Sequence, residues 1–259
     1  MARKGGARLR ALDRLVARAH PDIDAAEAIR SGSVLVDGRV VSNPASLVRR
    51  DASIALRRDR PLRGEAKLRF ALRAFGVSAR GRVALDLGAA AGGFTRVLLE
   101  NGAARVYAVD AGHGQLLGSL RQHPGVVDLE RTNIGELGPE LVPESVGIVT
   151  VDLSYVSLAR AVPQLEGRVA IAADADLVAL VKPQFELGVG EPPVGAMRLA
   201  QAIERASDGI ERAGWTVAGV VESPVPGSRG AVEFLLHARR GQAASRRASS
   251  ASRDAGRRA

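Results

Sequence analysis

The chain has no cysteine anywhere in its 259 residues. Disulfides, thiolate metal sites, iron–sulfur clusters and a cysteine nucleophile are thereby excluded, and a reducing compartment is the expected setting. There is no uninterrupted apolar run of about 18 residues that would span a bilayer. The basic start, Ala2 to Arg10, is not followed by an apolar stretch, so no signal peptide is expected. Histidine is also sparse. His20 and His237 are isolated, and His113 and His123 stand ten residues apart without matching ligands, so no metal site is expected. The most informative scarcity is lysine: of 37 basic residues only Lys4, Lys67 and Lys182 are lysine, and the other 34 are arginine. Arginine stays protonated in proteins, whereas a lysine amine can lose its proton when it is buried or set beside another cation. Lys67 and Lys182, the two within the folded region, are therefore candidates for proton-transfer chemistry.

What the chain does have is an uneven net charge of +9. Residues 1–60 carry 13 basic and 7 acidic groups, residues 61–238 carry 17 and 20, and residues 239–259 carry 7 and 1. Positive charge thus lies outside the large central region, as in a polyanion-binding module attached to a catalytic body. The length suits one large α/β domain plus a small module, and a 46% hydrophobic content supports a packed core.

Residues 1–60 read as a small α+β module. Leu12, Leu15 and Val16 share one helical face, as do Ile23, Ala26 and Ile29 in a second segment that Gly32 stops. Val34 to Val41 reads as a hairpin around Asp37-Gly38, and Ala52 to Leu56 as another short strand. A linker is expected over 57–64. From 65 to 238 the pattern alternates. Strands are predicted at Val83–Leu87, Val106–Val109, Val126–Leu129, Ile148–Val151, Leu177–Val181, Thr216–Val221 and Val232–His237. Helices are predicted at Lys67–Phe75, Phe94–Glu100, Gln115–Gln122, Val156–Leu165 and Met197–Ala213. Alternation of this kind predicts an α/β fold, a Rossmann-like, mostly parallel sheet of seven strands. The tail 239–259, rich in Arg, Ser, Ala and Gly, has no apolar periodicity and is expected to be disordered.

In an open α/β sheet, ligands bind beyond the carboxyl ends of the strands. Asp86, Asp110, Asp152 and Lys182 stand at four such ends. Asp86 precedes Gly88-Ala89-Ala90-Ala91-Gly92-Gly93, which opens a helix at Phe94 and lets backbone approach a ligand closely. Asp110, 24 residues past Asp86, is placed to accept hydrogen bonds from a ribose diol. A glycine turn without the dinucleotide G-x-G-x-x-G pattern favours S-adenosylmethionine over NAD; the alternative is that Gly92 and Gly93 only allow tight packing.

Asp152-Leu153-Ser154-Tyr155 occupies the position where amine-methylating enzymes place Asp-Pro-Pro-Tyr, but lacks both prolines. With no cysteine for the covalent route to a pyrimidine carbon, a hydroxyl is the best-fitting acceptor. Methyl transfer to a hydroxyl needs a base and in-line positioning. A lysine whose pKa is lowered by a nearby cation could serve as that base and Asp152 could hold its amine, although Asp152 also suits a helix N-cap. Glu233, in the predicted last strand, either enters a polar site or faces solvent.

Several segments together resemble a known family: Asp86 to Thr95, Glu130 to Asn133, Val151 to Tyr155, Val181 to Glu186 and Ser223 to Leu236 resemble the TlyA family of FtsJ-like (RrmJ-type) methyltransferases, which also carry a hemolysin label. Residues 1–60 resemble the alpha-L RNA-binding module that these proteins carry at the N-terminus. The resemblance covers about residues 8–238. It implies S-adenosylmethionine-dependent methylation of the ribose 2′-hydroxyl of cytidine in ribosomal RNA by a Lys-Asp-Lys-Glu set matching Lys67, Asp152, Lys182 and Glu233. Lys182 is then the base, Lys67 its electrostatic partner, Asp152 the orienting group and Glu233 an acceptor behind them. Asp86, Gly88, Gly92, Gly93, Phe94 and Asp110 are assigned to the cofactor. Ala90-Ala91 replaces a more polar pair usual in the family, and Ile23-Asp24-Ala25-Ala26 stands where the RNA-binding module usually has Ser-Arg. A cytoplasmic monomer acting on ribosomal RNA or ribosomal subunits is expected. A non-catalytic RNA-binding or assembly factor on the same fold is the second reading, and membrane lysis the third.

Overall fold

The structure, a computed structural model, describes residues 9–30, 32–56 and 62–241. It divides into two compact units, Met1–Arg60 and Pro61–Ala259. The expected linker residues 57–61 and the tail from 242 lie outside the described residues.

In the first unit, β1 (Leu9–Ala11) leads into α1 (Leu12–Ala19), followed by α2 (Ala25–Arg30), β2 (Val34–Val36), β3 (Arg39–Val40), β4 (Leu47–Arg49) and β5 (Ile54–Leu56). Leu12, Val16, Ala25, Ile29, Val34 and Val36 are buried together, so the two helices close one face of the β3-β2-β5 sheet. Asp37 and Gly38 turn the β2–β3 hairpin at φ 48° and 78°, the left-handed pair that a two-residue hairpin turn demands. Asp37 Oδ1 also accepts the Ser53 N–H at 2.9 Å, fixing the turn to the start of β5. The antiparallel β1–β4 pair has no signature in the sequence, because its strands are only three residues long and largely exposed.

The second unit begins with α3 (Arg63–Phe75), which takes in Arg63 and Gly64 from the expected linker. Glu65 closes its first turn by accepting the Leu62 N–H at 3.2 Å, and Gly76 ends it at φ 65°. Leu68, Ala71 and Leu72 form its buried stripe, and Lys67 lies beside them. Then follow β6 (Val83–Leu87), α4 (Gly93–Glu100), β7 (Arg105–Asp110), α5 (Gly118–Arg121), β8 (Val126–Glu130), β9 (Val146–Val151), α6 (Leu158–Ala161), β10 (Ile171–Val181), α7 (Pro183–Leu187), α8 (Ala196–Arg212), β11 (Trp215–Glu222) and β12 (Phe234–Arg240). The seven strands pair in the order β11-β12-β10-β9-β6-β7-β8. β12 runs antiparallel to both of its neighbours, β10 and β11, and the other pairings are parallel. The fold is an α/β, Rossmann-like sheet of the class I methyltransferase kind.

Three expectations are corrected. Glu233 precedes β12 rather than lying within it, because Phe234 is the first residue paired to β10. The strand instead runs on through Arg239 and Arg240, which the sequence assigns to the tail; Arg240 Nη1 donates to the Ala213 carbonyl at 2.9 Å and its guanidinium lies 5.5 Å from the Trp215 ring centroid. The helix expected over Gln115–Gln122 shrinks to α5, because Glu130 takes up the N–H groups of Gly114, Gln115 and Leu116 and holds them as a loop.

Candidate active site

The sheet's strand order places β6 between β9 and β7, with the connections diverging to either side, and a cleft of about 680 Å³ opens there. The register explains which residues reach it. Leu87 of β6 is level with Val109 of β7 and Val151 of β9. One step further on come Gly88, Asp110 and Asp152, and all three line the cleft, as do Ala90, Gly112, Gln115, Asn133 and Tyr155. Gly88 has φ 85°, and a β-carbon there would collide with the Asp152 carbonyl, so only glycine fits. Asp110 accepts the Ala90 N–H at 2.9 Å on one oxygen and the Gly112 N–H at 2.7 Å on the other, which aligns its carboxylate along the cleft wall. Ala90 uses its backbone here at φ 45°, and its side chain is exposed.

The other four residues assigned to the cofactor do not line the cleft. Asp86 is fully buried and accepts the hydroxyls of Thr95 at 2.7 Å and Thr150 at 2.8 Å, tying β6 to α4 and β9. Burial, opposed by those two hydrogen bonds and reinforced by the Asp152 carboxylate, pushes its pKa up to about 6. Gly92 lies against Leu116 and Leu120. Gly93 lies against the backbone of Gly64 and Glu65, and Phe94 packs on Gly64 within the core, so this pair sets the close approach of α4 to α3. Packing, the alternative reading for the two glycines, describes what their α-carbons face.

The two internal lysines are each held by a carboxylate. Lys67 Nζ donates to Glu233 Oε2 at 2.5 Å, with both side chains almost entirely buried. Lys182 Nζ lies 2.7 Å from Asp152 Oδ1 and donates a hydrogen bond to Ser154 Oγ at 3.2 Å, with the Phe185 ring 5.9 Å away. The Lys182–Asp152 contact is an ion pair, and the amine's hydrogen bond goes to Ser154. Strand register brings the two pairs to one edge: Val181 is paired with Phe234, so Lys182 and Glu233 are the next residues beyond that rung. The sequence separations are large, 166 residues for one pair and 30 for the other. Removing one partner of the buried pair would strand a charge, at a cost of about 3–5 kcal/mol.

Two groups that organise this region went unassigned in the sequence reading. Glu130 accepts the N–H groups of Gly114, Gln115 and Leu116 at 2.8, 2.7 and 3.0 Å and an Arg121 N–H at 2.6 Å. The Leu116 bond above all, with the other two amides and Arg121, lowers its pKa to about 2. Its loop supplies Gly112 and Gln115 to the cleft. Glu186, buried in α7, accepts the Leu158 N–H at 2.7 Å. Both lie in segments that carry the family resemblance, Glu130–Asn133 and Val181–Glu186, but they act on backbone amides distant in sequence, so their local pattern does not show their role.

A family model described as FtsJ-like methyltransferase matches residues 62–240. The chain is 44% identical over 221 residues to the 16S/23S rRNA (cytidine-2′-O)-methyltransferase TlyA of Mycobacterium tuberculosis, covering 82% of each chain. It is 30% identical to Hemolysin A of Brachyspira hyodysenteriae, over 82% of this chain and 91% of that one. Among solved structures, a hemolysin-named protein of Streptococcus thermophilus superposes with a TM-score of 0.65 at 28% identity, covering 92% of this chain and 90% of the other. Taken with the strand order and the cleft at its switch point, these likenesses place the chain: it belongs to the FtsJ-like methyltransferase family, among its TlyA relatives.

Proposed function

We propose that this methyltransferase uses S-adenosylmethionine to methylate the ribose 2′-hydroxyl of cytidine in ribosomal RNA, in the cytoplasm. The observation that carries the reading is the Lys182–Asp152 ion pair at the lip of the cleft, with Asp152 itself among the lining residues. The cleft's residues fit the cofactor. Its volume of about 680 Å³ suits a nucleoside-sized ligand. Gly88, Ala90 and Gly112 offer close backbone, and Asp110 offers an oriented carboxylate to a ribose diol. When bound, S-adenosylmethionine supplies an electrophilic methyl group on a sulfonium.

The chain's own residues do the rest. A ribose hydroxyl must be aimed at the methyl carbon and must lose its proton as it attacks. Lys182 first gives up its ammonium proton to solvent; the neutral amine then receives the hydroxyl's proton, and Asp152 and Ser154 hold the ammonium that forms. Lys67, buried and neutralised by Glu233 at the same strand edge, is the partner that shapes the site beside Lys182. In the N-terminal unit, Arg14 and Arg18 stand one turn apart on the exposed side of α1, a spacing suited to successive phosphates of an RNA backbone. That unit is read as the alpha-L RNA-binding module. Among the described residues no helix is long and apolar enough to cross a membrane.

The direct test incubates the protein with ribosomal RNA and methyl-labelled S-adenosylmethionine, then digests the product to nucleosides. Label in 2′-O-methylcytidine is expected. Label in a methylated base, or none in naked RNA or in either ribosomal subunit, would overturn the reading.

A further inference from the structure

The segment Asp152–Ser157, between β9 and α6, carries an unusual backbone. Tyr155 sits at φ 77°, in the left-handed region, and its side chain is 93% exposed. A bulky residue held there costs on the order of 1–3 kcal/mol and persists only when the surroundings over-determine it. The surroundings that do so come from α7 and the residue before it. Lys182 contacts Asp152 and Ser154, the Phe185 ring lies 6.1 Å from the Tyr155 ring, and Glu186 accepts the Leu158 N–H. Three of these contacts are partly exposed. Glu186 alone is buried, 7% exposed, and one of its oxygens, Oε2, has no hydrogen-bond partner among the described residues.

Such a carboxylate is expensive to keep. Desolvation pushes its pKa up to about 7, against the pull of the Leu158 and Ala159 amides. An apolar side chain would pack at that place at less cost. What it provides is a fixed point at the far end of a strained loop whose near end begins at Asp152.

We propose that Glu186 is a positioning residue for methyl transfer, clamping the strained Asp152–Ser157 loop against the helix that follows Lys182. The inference rests on the methyltransferase reading for its kinetic consequence, but the clamp itself is testable without activity. The chain has two tyrosines, Tyr107 and Tyr155. Tyr107 is buried in the core, far along β7 from the loop, and serves as an internal control. Fluorotyrosine is incorporated into the parent protein and into Glu186→Ala, Glu186→Asp and Glu186→Gln. The two fluorine resonances are followed, and single-turnover methylation is measured on the same samples.

In Glu186→Ala the Tyr155 resonance is expected to move toward that of free fluorotyrosine, while that of Tyr107 stays in place. The methyl-transfer rate is expected to fall roughly tenfold or more with cofactor saturating, because a small misplacement of reacting groups is that costly. Glu186→Gln keeps an oxygen for the Leu158 N–H and is expected to restore both readouts to near the parent's. Glu186→Asp, one methylene too short, is expected to behave like Glu186→Ala, and it decides the matter if the alanine variant does not fold. An unmoved Tyr155 resonance in the folded variants, or equal movement of both tyrosines, would overturn the clamp. A parent protein inactive on RNA whose Tyr155 responds as described would instead refute only the methylation reading.

Discussion

At the scale of single residues, the buried acids divide by what they hold. Asp86 sits in the core at the foot of the glycine loop and accepts two threonine hydroxyls. Its pKa of about 6 in the folded protein lies above the value of 3.8 for an exposed aspartate. Below that lower value it is protonated in both states and contributes no pH dependence. Between the two values the folded state binds the extra proton, so stability falls as pH rises, and above about 6 the loss is complete. The shift corresponds to about 3 kcal/mol. Asp86→Asn is therefore expected to gain stability relative to the parent as pH rises from 4 to 7, read as the difference between the two proteins in urea unfolding. A difference that stays flat over that range would contradict the assignment. The lysines and Asp86 contrast in legibility. Lys67 and Lys182 stand out by scarcity alone, whereas Asp86, Gly92, Gly93 and Phe94 share the glycine-loop motif and yet turn to the interior. A motif shows that a loop is special without showing which of its atoms face the ligand.

At the scale of elements, apolar runs identified all seven strands of the sheet, since five of them are buried over most of their length. Errors came where a distant partner decides the local state. Residues 115–117 read as the start of a helix and are instead held as a loop by Glu130, which lies across the β7–β8 pair. Glu130→Gln removes the charge that gathers three amides, and each hydrogen bond to a charged group is worth about 1.5–3 kcal/mol. The variant is expected to bind S-adenosylmethionine roughly tenfold more weakly by calorimetry, and to unfold at a lower midpoint than the parent. Unchanged affinity would show that the loop needs no such anchor. The Glu186 clamp belongs to this scale as well, and was equally hidden in the sequence, because it acts through the amide of Leu158, 28 residues away.

At the scale of the whole molecule, charge is distributed by task. The first 60 residues carry an excess of positive charge while residues 61–238 carry a small negative excess. This division was legible in composition, and the boundary between compact units at Arg60 and Pro61 follows it. If the N-terminal unit grips RNA through phosphates, each contact releases counterions and steepens the salt dependence of binding. Replacing Arg14 and Arg18 by glutamate is expected to weaken RNA binding and to lower the slope of log affinity against log salt by roughly 1–2. Cofactor affinity should not change. An unaltered slope would place the RNA contact elsewhere.

The central claim concerns one amine. Single-turnover methylation of ribosomal RNA by the parent, Lys182→Ala and Lys182→Arg, with cofactor affinity measured alongside, tests it most directly. Loss of the proton acceptor is expected to slow transfer by roughly 10²–10⁴ in both variants, since a guanidinium keeps its proton, with cofactor affinity close to the parent's. Transfer at the parental rate in either variant would contradict the account.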